Sequence, residues 1–312
     1  MMGGPPTQQT YGTGVIFVLL ATLGWSLSGL FVRLMPDLNG WQLNCWRGFW
    51  MATALLCYLV LLHGPDTWKS FKAVPLPAML LSAGFFSVGS TLYVTSLTLL
   101  STATVSVIGA ASPVFTGLLS PWATGERPGL AAWAAAAMAA IGVTTIAWSG
   151  LEAGNAIGIL VAVCMTFTFA SQTLTLRRFR NVDMTPAICV GGFVTFLFAG
   201  FFGFIAGNEL GGFKVSLREM LLLAAMGPLQ LSIPLIFFIK GARSVPAITL
   251  SLIAMLDAVL NPLWPWLIVG EVPERSAFLG GSVIVAAVLL SIFGNQLLKP
   301  SASDEQVESL AK

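Results

Sequence analysis

Ser112-Pro113-Val114-Phe115-Thr116 runs on to Gly125-Glu126-Arg127-Pro128, and the ending recurs as Gly270-Glu271-Val272-Pro273, 145 positions later. Each copy closes a long apolar segment that contains a proline, and each is followed directly by another such segment. Counting back from each Gly-Glu sets Ser112 against Asp257, Thr116 against Asn261 and Tyr93 against Phe238. A second register, offset by 144, sets Gly14 against Gly158, Trp25 against Phe169 and Arg33 against Arg177. Two anchors with nearly one offset identify a duplicated chain. Weak internal symmetry in a hydrophobic chain is the signature of secondary carriers built from repeats, with the site at the repeat interface.

Hydrophobic residues make up 56% of the chain and charged residues 9%, and the mean hydropathy is +0.86. A soluble domain carries about 25% charged residues, so this surface is expected to face lipid. The net charge of +2 comes from basic residues scattered over short loops, which excludes a nucleic-acid partner. Cys45, Cys57, Cys164 and Cys189 lie inside apolar runs without CxxC spacing and read as small buried hydrophobes. With His63 as the one histidine, neither a zinc site nor a His-based triad is expected, and no cofactor.

At a window of about 20 residues the chain offers ten apolar spans, near 14–35, 41–62, 76–99, 102–123, 130–150, 156–176, 186–206, 217–239, 246–269 and 276–298. Helices satisfy their own backbone in lipid, and these runs are too long and continuous for barrel strands. The expected class is therefore an all-α integral membrane protein. Residues 1–11 and 300–312 read as tails, 12–150 as the first five-helix repeat and 151–299 as the second. The first span lacks a basic leader and a cleavage site and reads as a retained helix. With the N-terminus inside, ten Lys and Arg fall on the cytoplasmic side against five outside, so both termini are expected in the cytoplasm. Five helices per repeat is an odd number, so the second repeat is expected to be inverted relative to the first.

The chain resembles the drug/metabolite transporter superfamily, in its EamA-type branch. The resemblance rests on Gly14, Leu20, Ala21 and Trp25, on Arg47-Gly48, on Tyr93-Val94-Thr95-Ser96-Leu97 through Ser101-Thr102-Ala103, and above all on Ser112 to Arg127 with its echo at Gly270-Glu271. It implies a pseudo-twofold inner-membrane carrier whose central cavity is lined mostly by helices 1, 3, 4, 6, 8 and 9, with 5 and 10 peripheral. The second copy departs from the pattern at Asp257-Ala258-Val259-Leu260-Asn261-Pro262.

Candidate site residues are the polar groups at membrane depth. Asp257 lies about 17 Å into the ninth span at 1.5 Å per residue, where a charge needs a cavity or a partner. Asn261 follows one turn on, and Pro262 and Pro265 remove the usual donors to the carbonyls of Ala258 and Asn261. Together they suit an ammonium group or a proton; the structural alternative is an ion pair locking helices. Arg47, among Trp41, Trp46 and Trp50, either snorkels outward or captures a carboxylate or closes a gate. Lys240 either obeys the positive-inside bias or gates. Trp25, flanked by Thr22 and Ser28, either offers a stacking wall or is a packing residue whose flanking hydroxyls bond to their own helix backbone, and Tyr93, Gln172 and Gln230 are further cavity candidates. Glu126 and Glu271 read as acceptors for the free N–H groups of the helix that follows. Ala132, Ala136 and Ala140 have the small-xxx-small spacing of a close helix contact, inside the bundle or across a dimer.

A carrier, an intramembrane enzyme and a receptor-like protein are the three classes weighed. The repeat and mid-membrane Asp257 favour the carrier; an enzyme needs paired aspartates or a Ser-His couple, and a receptor larger soluble parts. Within the carrier class the expected cargo is a small polar metabolite with an amine and some apolar surface, such as an amino acid, with export as the direction. The alternative is a broad exporter of amphipathic or cationic compounds. The bilayer and the cargo are the expected partners, with the chain as a monomer or homodimer.

Overall fold

The long apolar segments fold as helices because a backbone in lipid has only itself to bond to, and no strand occurs among the described residues. The computed structural model describes residues 10–100, 105, 108–147, 156–205, 214–260, 263–270 and 275–297. In chain order the helices are α1 (Tyr11–Trp25), α2 (Ser28–Leu34), α3 (Gly40–His63), α4 (Thr67–Ala73), α5 (Leu76–Leu99), α6 (Ser112–Ala123), α7 (Leu130–Ala147) and α8 (Ala156–Arg178). They continue as α9 (Thr185–Ile205), α10 (Leu217–Met226), a π turn over Gly227–Ser232, α11 (Ile233–Gly241), α12 (Ala247–Ala254), α13 (Asp257–Leu260), α14 (Leu263–Val269) and α15 (Arg275–Leu297). Among the described residues, six stretches are long and apolar enough to cross a membrane: Tyr11–Val32, Gly40–Ala73, Leu76–Ser96, Ala156–Arg178, Thr185–Ile205 and Leu217–Gly241. Leu130–Thr145, Ala247–Leu260 and Phe278–Phe293 are shorter apolar helices.

Packing partners come in matched sets. α3 lies against α9, and α7 against α15. α5 packs on α8, as α11 packs on α1; α5 also meets α9, as the π turn and α10 meet α3. α6 and α12 cross each other, with Thr116 Oγ1 and Ser251 Oγ 2.8 Å apart. Glycines permit the closest crossings. A Cβ on Gly48 of α3 would stand 3.0 Å from the carbonyl oxygen of Gly192 on α9, and one on Gly142 of α7 would stand 2.7 Å from that of Gly280 on α15. The alanine stripe of α7 is therefore used within the chain: Ala132 and Ala136 are buried in the main apolar core.

Gly125 and Gly270, the anchors of the repeat, share a left-handed backbone (φ 75° and 78°), a conformation open to glycine without steric cost. The other anchor pair also has a common cause. Gly14 faces Ser244 and Val245, just past α11, and Gly158 faces Leu99 and Leu100 at the end of α5.

At least four of the expected spans are interrupted rather than continuous, among them the fourth, by a turn at Ala110 and Ala111 just before α6. The first breaks between Trp25 and Ser28, where Ser26 Oγ donates to the Leu23 carbonyl and accepts from Trp264 Nε1 at 2.8 Å. The eighth is interrupted by the π turn, which begins beside Pro228 and ends just before Pro234, two residues that cannot donate to a preceding carbonyl. In the ninth a break comes before Asp257: Met255 N–H is shared between the carbonyls of Ser251 and Leu252, and Asp257 opens a new short helix. Breaks of this kind survive in a membrane where they are buried in protein or line a cavity.

Candidate functional site

α5 and α8 each turn one face inward at helical spacing. Phe86, Gly89, Ser90 and Tyr93 come from the first, and Met165, Phe169, Gln172, Thr173 and Leu176 from the second. With Trp25, Arg47, Ser112, Leu235 and Phe238 they enclose a cavity of about 270 Å³. Residues equivalent in the two halves meet here. Trp25 packs edge-on to Phe169 with ring centroids 6.4 Å apart, and lies 5.0 Å from Phe238, the counterpart of Tyr93. The walls are thus chiefly aromatic, with a few hydroxyls, one amide and one guanidinium.

Arg47 is only 7% exposed, so it does not snorkel to the interface. Its Nη2 donates to Asn44 Oδ1 (3.2 Å) and Ser90 Oγ (3.0 Å), and Ser90 Oγ donates to the same Asn44 oxygen (2.6 Å). Gln172 donates from Nε2 to Ser82 Oγ at 2.9 Å, which leaves its buried Oε1 without a partner. Other buried oxygens also lack a partner, among them Ser112 Oγ and Asp257 Oδ1, the equivalent positions of the duplication. A buried acceptor without a donor costs about 1–3 kcal/mol. Asp257 is half-buried, does not belong to the cavity wall, and interacts electrostatically with Tyr93, which does.

Among the residues expected at the site, Trp25, Tyr93, Gln172 and Arg47 come together around the cavity. Gln230 is buried within the π turn, with Oε1 unpartnered. Ser28 starts α2 and lies outside the wall. Lys240 stands at the end of α11, with Nζ 5.7 Å from the centre of the Phe17 ring and away from the cavity. Asn261, Pro262 and Glu271 lie outside the described residues. Thr22 Oγ1 donates to its own helix at the Val18 carbonyl (2.9 Å), as a packing hydroxyl does. Phe86 and Ser90 were not singled out from the sequence; their i, i+4, i+7 spacing with Tyr93 is the signal that locates them.

Glu126 acts on a different helix from the one expected. It accepts from Ala247 N–H at the first turn of α12 (2.9 Å), not from α7, and pairs with Arg177 Nε (2.6 Å). Arg177 Nη1 also donates to the Ala242 carbonyl at 2.9 Å. One carboxylate from the first half thereby ties the end of α8 to the start of α12.

The EamA-like transporter family matches the chain twice, over residues 12–148 and 156–293. Two curated relatives are each 24% identical. The S-adenosylmethionine uptake transporter of Rickettsia felis aligns over 92% of this chain and 95% of its own, and an uncharacterized transporter of Pseudomonas aeruginosa over 90% and 93%. A solved crystal structure superposes with a TM-score of 0.80 at 18% identity, covering 92% of this chain and 99% of the other.

Proposed function

We propose, from the premise that the chain belongs to the EamA-like transporter family, that it is an inner-membrane secondary carrier for a small polar metabolite bearing an amine, an amino acid or a close relative. It works by alternating access, with export as its direction. Ten spans form two inverted five-helix repeats, a reading supported by the matched packing of the two halves. The observation that carries the cargo assignment is the pair of unpartnered buried oxygens at equivalent positions, Ser112 Oγ and Asp257 Oδ1. Asp257 supplies the charge that an ammonium group answers, the aromatic wall supplies stacking and cation–π surface, and substrate and proton compete for the one carboxylate. S-adenosylmethionine, the cargo in the name of the Rickettsia felis relative, carries both an amine and a second positive centre and belongs in the test panel. The aromatic wall also favours a second reading, a broad exporter of amphipathic cations.

The test is counterflow in proteoliposomes across a panel of amines and amino acids at several internal and external pH values. Asp257→Asn keeps the volume and removes the charge. We expect it to remain folded, to lose most transport of amine-bearing cargo, at least ten-fold, and to flatten the pH dependence. Transport like that of the wild type would remove Asp257 from the mechanism, and loss of folded protein would mark it as a structural ion-pair partner.

A further inference from the structure

We infer that Arg47 receives a carboxylate of the transported molecule, so that the cargo is a zwitterion and not a simple amine; the inference rests on the carrier reading above. Arg47 is the charged residue of the cavity wall among the described residues. Its guanidinium is 93% shielded (7% exposed), and among the described residues no carboxylate lies within ion-pair reach of it; the ion pairs formed there are Lys69–Asp66 and Arg177–Glu126. A guanidinium is permanently charged, and leaving it buried without a counter-ion costs several kcal/mol. A structural role would have placed an acid beside it.

The neutral partners of Arg47 orient the group without offsetting its charge. Asn44 Oδ1 accepts from Arg47 Nη2 and from Ser90 Oγ. Guanidinium nitrogens only donate, so the amide orientation is fixed and its nitrogen must point elsewhere. Two buried donors are then left over, Arg47 Nε and Asn44 Nδ2, each without an acceptor. A local surplus of donors around a lone cation calls for an anion with acceptor oxygens. One cation offsets one negative charge, which fits a carboxylate; a phosphate ester carries up to two charges and would face an apolar wall of Phe85, Phe86, Phe169 and Phe238. That wall excludes competing water and strengthens a charge-assisted bond. Arg47 stands in the cavity wall beside Tyr93 and receives the carboxylate, while Asp257, outside that wall, is left to answer the amine.

The test is a set of matched pairs, each of the common α-amino acids and the amine left by its decarboxylation, with phosphoserine and phosphoethanolamine added. Each is assayed for thermal stabilisation of the purified protein and for counterflow in proteoliposomes. The expected result is that at least one amino acid is bound and exchanged ten-fold or more better than its own amine. Arg47→Gln should erase that preference, and Arg47→Lys should keep part of it. Should Arg47→Gln fail to fold, Ser90→Ala, which frees the guanidinium to move, is expected to narrow the preference as well. Equal handling of acid and amine by the wild type overturns the inference and leaves the amine reading standing. Binding of neither member of any pair overturns both. An equal proportional loss of acid and amine in Arg47→Gln, or preferential binding of the phosphate esters, also overturns the inference.

Discussion

A Cβ added at Gly14 would run into Ser244 Oγ and stand 2.9 Å from Val245 Cγ2, and one added at Gly158 would stand 2.7 Å from Leu100 Cγ. Gly12, two residues before Gly14, has nothing within 4 Å of the same position. Substituting a close-packed glycine forces neighbours apart, at about 1–3 kcal/mol for overpacking. We therefore expect Gly14→Val and Gly158→Val each to lower the Tm of the detergent-solubilised protein by several degrees, while Gly12→Ala leaves it unchanged or raises it. Equal Tm values for Gly14→Val and the wild type would show that α1 shifts away from the loop after α11. These two glycines were visible in the sequence as a repeated letter. Why they repeat was not, because the residues they meet are more than 200 positions away for Gly14 and nearly 60 for Gly158. Arg47 shows the same limit: its sequence neighbours are tryptophans, but Asn44 and Ser90 hold it inside.

The helical elements were legible wherever a run of apolar residues needed no partner to define it. Six stretches suited to crossing a membrane coincide with expected spans. Their interruptions were less legible. The π turn holds Pro228 and is followed by Pro234, but the breaks at Ser26 and Met255 contain no proline; they follow from hydrogen bonds, to Trp264 in one case and to shared carbonyls in the other. Gly-Glu illustrates how a correct local rule can name the wrong helix. The carboxylate does cap a helix N-terminus, but the helix is α12, brought close by the fold. Glu126→Ala removes both the cap and the partner of buried Arg177. The expected loss is roughly 2–3 kcal/mol, below that of a fully buried pair, read as a fall in Tm. Because Ala247 N–H needs an acceptor, reversing the pair as Glu126→Arg with Arg177→Glu should not restore stability. Full rescue by the swap would reduce Glu126 to a simple ion-pair partner.

Across the whole molecule, side chains tie loops together at two ends. Gln42 Nε2 donates to the Lys214 carbonyl at 2.8 Å, joining the start of α3 to the approach to α10. At the opposite end Arg178 Nη1 donates to the Ala123 carbonyl, Arg177 meets Glu126 and Ala242, and Tyr58 interacts electrostatically with Asp183 and Arg243. Single cysteines near Asp66 and Arg180 are accordingly expected to be labelled only from the cytoplasmic face, and those near Asp37 and Lys214 only from the outside. Labelling of the Asp66 and Lys214 positions from one side would end the ten-span, inverted-repeat arrangement.

The Glu126 bridge also bears on how fast such a protein can turn over. It joins the first half to two helix ends of the second, so any motion that parts them must release two hydrogen bonds of a charged group before the end can open. Bonds to charged groups contribute about 1.5–3 kcal/mol each, and each 1.36 kcal/mol on a barrier is about ten-fold in rate. Glu126→Gln keeps an acceptor for Ala247 and gives up the charge. Per folded molecule it should exchange cargo faster than the wild type at some loss of stability, provided opening at this end limits the cycle. An unchanged or slower exchange, measured at equal amounts of folded carrier, would place the slow step elsewhere.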